Sequence, residues 1–289
     1  MTTQDTVYLN GAWIPGDQAM VSAFDRGFIF GDGVYEVIPV YGKRPFRLKQ
    51  HLDRLNRSCD AIRLGNPCSN REWQAIIDKL IEQHQSEDQM IYLQITRGTA
   101  PRDHVFPAKA KPTTFAYSKA IRYPDKSELA TGVKAVTTED IRWLRCDIKS
   151  IALLANVIMR QNAMEKGAAE AILLRGEHLT EGAASNIFIV KDDCIVTTPK
   201  SELILPGITR DLVVELARAN DICIEERSIS TAELMSAKEV WMTSSTKEIL
   251  PIVKIDTTRI GNGTPGPMHS RMFDIYQDYK QRFRAGQVN

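Results

Sequence analysis

A chain of 289 residues is long enough for one large domain or two of ordinary size, with a sizeable core in either case, and two is the preferred count. Apolar residues at 43% and charged residues at 25% are ordinary globular values and exclude a disordered or fibrous chain. A net charge of +1 gives no broad grip on nucleic acid, and no stretch approaches a membrane-spanning run. Met1 to Asn10 lack a basic segment followed by an apolar one, so a soluble, unsecreted, cytoplasmic protein is expected. Cys59, Cys68, Cys146, Cys194 and Cys223 are scattered and without CxxC spacing, which predicts reduced thiols. His51, His84, His104, His178 and His269 form no close cluster with Cys or Asp, and HExxH is absent, so no metal site is expected.

In chain order, Val7-Tyr8-Leu9 and Ala12-Trp13-Ile14 predict a hairpin around Asn10-Gly11, residues that tolerate the positive φ of a tight turn. A second hairpin is expected from Val34 to Tyr41, turning at Gly42-Lys43 and returning along Pro45-Phe46-Arg47-Leu48. Leu52, Leu55, Cys59 and Ile62 share one helical stripe; Trp73, Ile76, Ile77, Leu80 and Ile81 share another, with Asn70 as N-cap. Met90 to Thr96 and Thr113 to Tyr117 read as strands flanking a long loop, Gly98 to Pro112, which holds Arg102 and His104. Ile121 to Gly132, polar and interrupted by Pro124, reads as a linker.

Beyond it, a β-branched run from Val133 to Thr138 predicts a strand, followed by a helix from about Ile151 to Lys166 closed by Gly167, and a strand from Glu170 to Leu174. Asn186 to Val190 and Cys194 to Thr198 predict a hairpin around Lys191-Asp192-Asp193. Gly207-Ile208-Thr209 opens a further helix, Ser230-Thr231-Ala232-Glu233 has the capping-box pattern, Glu239 to Thr243 and Ile249 to Lys254 are strand-like, and Met268 to Phe283 is a terminal helix. The mixture predicts an α+β fold of two domains with mixed sheets. The expected boundaries are a smaller N-terminal domain over 1–120, the linker over 121–132, and a larger C-terminal domain over 133–289.

Lys149 stands out because it falls between the strand ending near Thr138 and the apolar segment Ile151-Ala152-Leu153-Leu154-Ala155, a junction of the kind that lines clefts. A lysine that bonds covalently to a carbonyl must be partly desolvated, so that some of it is neutral near pH 7. Spacing alone favours a solvated surface lysine, as most lysines are. Gly31-Asp32-Gly33 is no dinucleotide fingerprint, since it lacks the third glycine and precedes a strand, and GxxxxGK[ST] is absent.

Taken in order, Asp25-Arg26-Gly27, Phe30-Gly31-Asp32-Gly33-Val34-Tyr35-Glu36, His51-Leu52-Asp53-Arg54-Leu55, Asp147-Ile148-Lys149-Ser150, Thr180-Glu181-Gly182-Ala183-Ala184-Ser185-Asn186, Gly207-Ile208-Thr209-Arg210 and Thr243-Ser244-Ser245-Thr246 resemble the D-amino-acid and branched-chain aminotransferase family, pyridoxal-phosphate enzymes of fold type IV. The resemblance covers essentially the whole chain. Within the family, Thr96 to Pro107, with its Arg102-Asp103-His104, looks most like the D-amino-acid transaminases.

The resemblance implies that Lys149 holds the aldehyde of pyridoxal 5'-phosphate and later moves the proton at substrate Cα. It implies Glu181 beside the pyridine nitrogen, Leu205 against the ring, and Arg54, Ile208, Thr209 and Ser245 on the phosphate, all in a cleft between the two domains. Tyr35, Arg102 and His104 would surround the substrate α-carboxylate, with the Arg-x-His loop reaching over from the second subunit of a homodimer. Small amino acids and 2-oxo acids would be the partners, D-alanine and 2-oxoglutarate giving pyruvate and D-glutamate. Read without the family, Glu181 is a turn glutamate, Arg54 a solvated helix arginine, Thr209 and Ser245 caps or turn residues, Tyr35 a strand aromatic, and Arg102 with His104 part of an exposed charged loop.

Ala183-Ala184 depart from the serines common after the Glu-Gly, which would lower cofactor affinity, and Phe28-Ile29 replace a more polar pair. An L-branched-chain transaminase, an aminodeoxychorismate lyase and a non-catalytic binding dimer are the alternatives on the same fold.

Overall fold

The computed structural model describes residues 6–288. They fall into two units, one holding the residues up to Ile121 with Ile148–Leu153 and the stretch from Phe283 onward, the other Arg122–Asp147 and Leu154–Arg282.

The first unit is built on a six-stranded antiparallel sheet. Its elements in chain order are β1 (Thr6–Leu9), β2 (Ala12–Pro15), α1 (Arg26–Phe30), β3 (Gly33–Tyr41), β4 (Arg44–Pro45), α2 (Leu48–Ala61), α3 (Asn70–Gln83), β5 (Gln89–Thr96) and β6 (Thr113–Ala120). The sheet order is β2-β1-β6-β5-β3-β4. Asn10 and Gly11 both take positive φ, 50° and 92°, which matches the right-handed twist of the β1–β2 hairpin.

Strand periodicity then sorts side chains to two faces. Val34, Ile38 and Val40 of β3, with Ile91, Leu93 and Ile95 of β5, pack against Leu52, Leu55 and Cys59 of α2 and Trp73, Ile77 and Leu80 of α3. The other face carries a row of stacked rings, Tyr35 on Tyr92 at 5.7 Å and Tyr92 on Tyr117 at 5.2 Å.

Two expectations are corrected here. The return strand after Gly42-Lys43 ends at Pro45, because Arg47 turns into the left-handed region at φ 51° and α2 begins at Leu48. Phe46 is instead buried between the rings of Tyr41 and Phe283, at 5.1 and 4.9 Å. The cap of α3 is Ser69 rather than Asn70: Ser69 Oγ accepts from the Glu72 N–H at 3.3 Å, and Glu72 Oε2 accepts from the Ser69 N–H at 2.7 Å.

The second unit comprises α4 (Lys126–Thr131), β7 (Val133–Glu139), α5 (Leu154–Glu165), β8 (Glu170–Arg175), β9 (His178–Gly182), β10 (Asn186–Lys191), β11 (Cys194–Thr197), α6 (Ile208–Ala219), β12 (Ile224–Glu226), α7 (Thr231–Met235), β13 (Glu239–Ser244), β14 (Glu248–Ile255), β15 (Thr258–Arg259) and α8 (Pro267–Arg284) up to Arg282. Its sheet runs β12-β11-β10-β13-β14-β7-β8-β9, with β15 on β14. The pairs β11–β12, β14–β7 and β7–β8 are parallel and the rest antiparallel, so the mixed sheet belongs to this unit alone. Ile187, Ile189, Val240, Met242, Leu250 and Ile252 line its core.

Three further differences have local causes. The stretch 121–132 contains α4, whose start is closed by the Asp125 N–H donating to Glu128 Oε2 at 2.9 Å. The helix expected from Ile151 begins only at Leu154, because Ile151–Leu153 run beside β3 in the first unit. The strand β9 was hidden by its composition, His-Leu-Thr-Glu-Gly, which shows no alternation of apolar and polar residues.

The thiol expectation also changes. Cys194 and Cys223 form a disulfide, and Cys59, Cys68 and Cys146 are free. The bond ties the start of β11 to the residue preceding its parallel partner β12, where Ile195 pairs with Ile224. Widely separated cysteines without CxxC spacing carry no sequence signal for such pairing, since only the register of two strands brings them together. Closing a loop of this length, 29 residues, restricts the unfolded chain by about 3.6 kcal/mol. Urea unfolding with and without dithiothreitol should therefore show a lower midpoint in reductant; coincident curves together with five titratable thiols in denaturant without reductant would show that the bond is not formed in solution.

Candidate functional site

In the first unit the polypeptide around Lys149 is held by backbone geometry. The Tyr35 N–H donates to the Lys149 carbonyl at 2.9 Å and the Ile151 N–H to the Gly33 carbonyl at 3.1 Å, so 149–151 lie along the first residues of β3. The Lys149 N–H donates to Ser58 Oγ on α2 at 3.2 Å, and Ile148 is buried in the core of the unit. Lys149, half-buried, thereby carries its Nζ to 4.1 Å from the Tyr35 ring centroid. Tyr35 stacks in turn on Tyr92. Burial, followed by the neighbouring phenols of Tyr35 and Tyr117, pushes the Tyr92 hydroxyl above its ordinary range, and it donates to Gln94 Oε1 at 2.7 Å.

On the opposite face of β3, Glu36 is fully buried and is matched by Arg54, whose Nε and a terminal nitrogen donate to its two oxygens at 2.7 and 2.8 Å. His51 Nδ1 lies 2.8 Å from Glu36 Oε2. Burial alone would raise the Glu36 carboxyl, but Arg54 and then His51 hold it far below the usual range. Burial also keeps the His51 imidazole below its ordinary pKa, and its Nε2 is buried with no partner among the described residues. The sequence-predicted Arg54 is therefore a buried, oriented guanidinium. Glu36 and His51, which stand in the same motifs, were not assigned; a carboxylate alternating into an apolar strand face was the available signal.

Arg102 and His104 are exposed on the loop between β5 and β6. Both lie beside Phe30 of α1, the guanidinium carbon of Arg102 and the His104 ring each 5.4 Å from the Phe30 centroid.

In the second unit, Glu181 stands in β9 and is 3% exposed. Its carboxylate accepts from Arg142 at 2.5 Å, from Asn186 Nδ2 at 3.0 Å, and from the Leu205 N–H at 3.0 and 3.1 Å. Asn186 Nδ2 also donates to the Leu205 carbonyl at 2.9 Å, so Glu181 and Leu205 are locked to one amide. Arg142 is shared with buried Asp140, which it meets at 2.9 Å through two nitrogens. Burial pushes the Glu181 carboxyl up to about 7 against the opposing pull of Arg142 and Leu205, with Asp140 adding to the rise. Arg142, Asp140 and Asn186 went unassigned from sequence, because a loop arginine at 142 gives no sign of folding onto a strand carboxylate.

Ile208 and Thr209 open α6 behind Gly207, and no side chain caps that end, so the first N–H groups remain available to an anion. Gly207 is required: a Cβ there would sit 2.1 Å from Asn186 Oδ1. Asn186 pairs with Thr243 across β10 and β13, and Thr243 Oγ1 is buried without a partner among the described residues. Ser245 lies in the turn after β13. Ala183 and Ala184 offer only backbone polar groups, the Ala183 carbonyl accepting from Asn156 Nδ2 at 2.8 Å. Within the first unit the oriented Arg54 suits an anion and Lys149 an aldehyde; within the second, the uncapped helix start suits an anion and the buried Glu181 carboxylate a cationic partner such as a protonated ring nitrogen.

Residues 33–255 match the sequence profile of the family described as amino-transferase class IV. A D-alanine aminotransferase of Bacillus licheniformis is 43% identical over 262 residues, 91% of this chain and 92% of the relative. One from Staphylococcus haemolyticus is 39% identical over 274 residues, 94% of this chain and 97% of the relative. Among solved structures, the branched-chain amino acid aminotransferase of Escherichia coli superposes with a TM-score of 0.90 at 26% identity, covering 99% of this chain and 96% of that one.

The raised Glu181 carboxyl has a measurable consequence. With a native pKa of about 7 against an ordinary 4.5, the folded apoprotein holds a proton that the unfolded chain has released, so stability falls as pH rises from about 4.5 to 7. The contribution is on the order of 3 kcal/mol at most. Glu181→Gln removes it, and the stability difference between the parent and this variant should slope downward across that window in apoprotein unfolding. Parallel pH profiles would mean that Glu181 is already ionised throughout.

Proposed function

Because the chain belongs to the amino-transferase class IV family, we infer that it is a pyridoxal-phosphate-dependent D-amino-acid transaminase, which exchanges the amino group of D-alanine and related D-amino acids with 2-oxoglutarate to give pyruvate, or another 2-oxo acid, and D-glutamate. The observation that carries the reading is the likeness to D-alanine aminotransferases over more than nine-tenths of both chains. Arg102-Asp103-His104 favours it over the branched-chain reading, which the fold alone would allow.

When bound, pyridoxal phosphate supplies an aldehyde that takes up the amino group and a ring that draws electron density from substrate Cα. The chain's own groups do the rest. Lys149 Nζ would hold the aldehyde and, once released as a free amine, would take the proton from substrate Cα. Glu181 would keep the proton on the pyridine nitrogen, and its buried setting would make that charge pair strong. Leu205 would pack against the ring. Arg54, the N–H groups of Ile208 and Thr209, the Thr209 hydroxyl and Ser245 would hold the phosphate. Tyr35, Arg102 and His104 take the substrate α-carboxylate, and the guanidinium fork suits its two oxygens. Handedness follows from where that carboxylate is pinned relative to Lys149, since the same lysine and cofactor serve either enantiomer.

The reading also places the enzyme in the cytoplasm as a homodimer. Among the described residues no helix is long and apolar enough to cross a membrane. On α5, Leu154, Val157 and Ile158 recur at i, i+3 and i+4 and are 73%, 60% and 44% exposed, an apolar stripe suited to a second copy.

Turnover of D-alanine with 2-oxoglutarate, scored by the chirality of the glutamate formed, tests the assignment: D-glutamate is expected, and L-glutamate from L-leucine with none from D-alanine would overturn it. In the same assay Lys149→Ala should lower kcat by about a thousandfold or more while leaving the circular-dichroism spectrum unchanged; parent-like turnover would remove Lys149 from the chemistry. Arg102→Ala should lower kcat/KM for D-alanine by about 10- to 100-fold, the range of one charge-assisted hydrogen bond, and a loss under twofold would end its role at the carboxylate.

A further inference from the structure

Beneath the exposed Arg102 and His104 lies a buried cation to which the transamination reading assigns no task. Arg26, in the first turn of α1, is 3% exposed. Its NH1 donates to the carbonyl of Asp103 at 2.5 Å and of Val105 at 3.4 Å, its NH2 to the carbonyl of His104 at 3.5 Å, and its Nε to Asp32 Oδ2 at 2.7 Å. Its own N–H donates to the Gly98 carbonyl at 2.9 Å. One residue therefore grips the loop at its start and again at its tip.

Three carbonyls from consecutive residues do not point the same way in a free loop. Their convergence on one guanidinium sets the backbone of 103–105, and with it the directions in which Arg102 and His104 leave the chain. The planar fork of arginine can serve a carboxylate and several carbonyls at once; an ammonium at the same place supplies charge without that spread of fixed donors. Asp32 is itself fixed from the other side, accepting from Arg97 Nε at 2.8 Å, while the terminal nitrogens of Arg97 donate to the carbonyls of Arg63 and Ile62 at 3.0 and 2.8 Å.

Phe30 completes the support. Its ring centroid is 4.8 Å from the guanidinium carbon of Arg26, on the same ring that neighbours Arg102 and His104. Ring and cation attract through the quadrupole, so the exposed side chains rest on a surface that is held by the buried one. Farther along the loop, Phe106 lies 3.7 Å from the Arg97 guanidinium carbon, a second attachment on the same ionic hub.

We propose that Arg26 and Phe30 are positioning residues for substrate recognition: Arg26 sets the backbone of the 103–105 segment and Phe30 the side-chain directions of Arg102 and His104. The proposal rests on the reading of Arg102 and His104 as the carboxylate site. It predicts that damage at Arg26 or Phe30 appears in KM for both substrates, which share the α-carboxylate, and not in the proton transfer at Cα.

The test is a double-mutant cycle on the cofactor-loaded enzyme with Arg26→Lys, which keeps a charge for Asp32 and loses the fork, and Arg102→Ala. Arg26→Lys should raise KM for D-alanine and for 2-oxoglutarate about tenfold, with kcat and the pyridoxal-phosphate dissociation constant changed less than twofold. In the Arg102→Ala background it should add less, because one of the two side chains it positions is gone. An unchanged KM in Arg26→Lys beside an impaired Arg102→Ala overturns the positioning role. Equal increments in both backgrounds overturn it too, since Arg26 then acts independently of Arg102. A silent Arg102→Ala removes the carboxylate reading itself, and the proposal with it. If Arg26→Lys does not fold, Phe30→Leu, which retains apolar volume and loses the ring face, is carried through the same cycle with the same expectations.

Discussion

Two backbone hydrogen bonds, Tyr35 N–H to Lys149 C=O and Ile151 N–H to Gly33 C=O, decide most of what the first unit can do. They draw residues 148–153, which are distant in sequence from β3, onto the N-terminal sheet, and they fix the register of Lys149 against that strand. A shift of one residue would turn side chains to the other face. With the register as found, the lysine amine meets the Tyr35 ring, while Glu36, one position on, faces α2 and holds Arg54. The pleat of one strand thus separates the Lys149 amine from a guanidinium suited to an anion.

Two buried glutamates show how environment assigns opposite tasks to one residue type. Glu36 receives two nitrogens of Arg54 and a ring nitrogen of His51, and these outweigh burial, so it stays charged and keeps Arg54 oriented. Glu181 must share Arg142 with Asp140, and burial prevails. A carboxyl incompletely compensated by its protein neighbours is well matched to a further positive partner such as a protonated ring nitrogen, because the attraction is gained where no water competes. The helix start at Gly207-Ile208-Thr209 offers uncapped N–H groups in the same unit, and Asn186 links the two features, bonding Glu181 and Leu205 on one side and limiting position 207 to glycine on the other.

The hub of Arg26, Asp32 and Arg97 gives the long loop a different character from its exposure. Its side chains face solvent, but carbonyls at its tip are fastened to a buried guanidinium. Residues that are quiet in sequence terms, an arginine after an aspartate and a phenylalanine before a glycine, become the base on which the reactive-looking pair at 102 and 104 stands.

Much of this was legible in the amino-acid order. The hairpin at Asn10-Gly11, the stripes of α2 and α3, the hairpin at Asp192-Asp193 and the start of α6 depend on local turn chemistry and on periods of two or 3.6 residues, which a sequence displays directly. Motif order and residue chemistry were enough to name Lys149, Arg54, Glu181, Arg102 and His104 as candidates for the site. Only the tertiary structure decided that Ile151–Leu153 extend beside β3 instead of opening a helix, that Cys194 meets Cys223, that Arg142 folds onto Glu181, and that Arg26 holds the loop tip. Each of these joins residues far apart in the chain through hydrogen bonds or a covalent bond whose partners depend on strand register, and no local pattern of residues encodes a register set elsewhere in the fold.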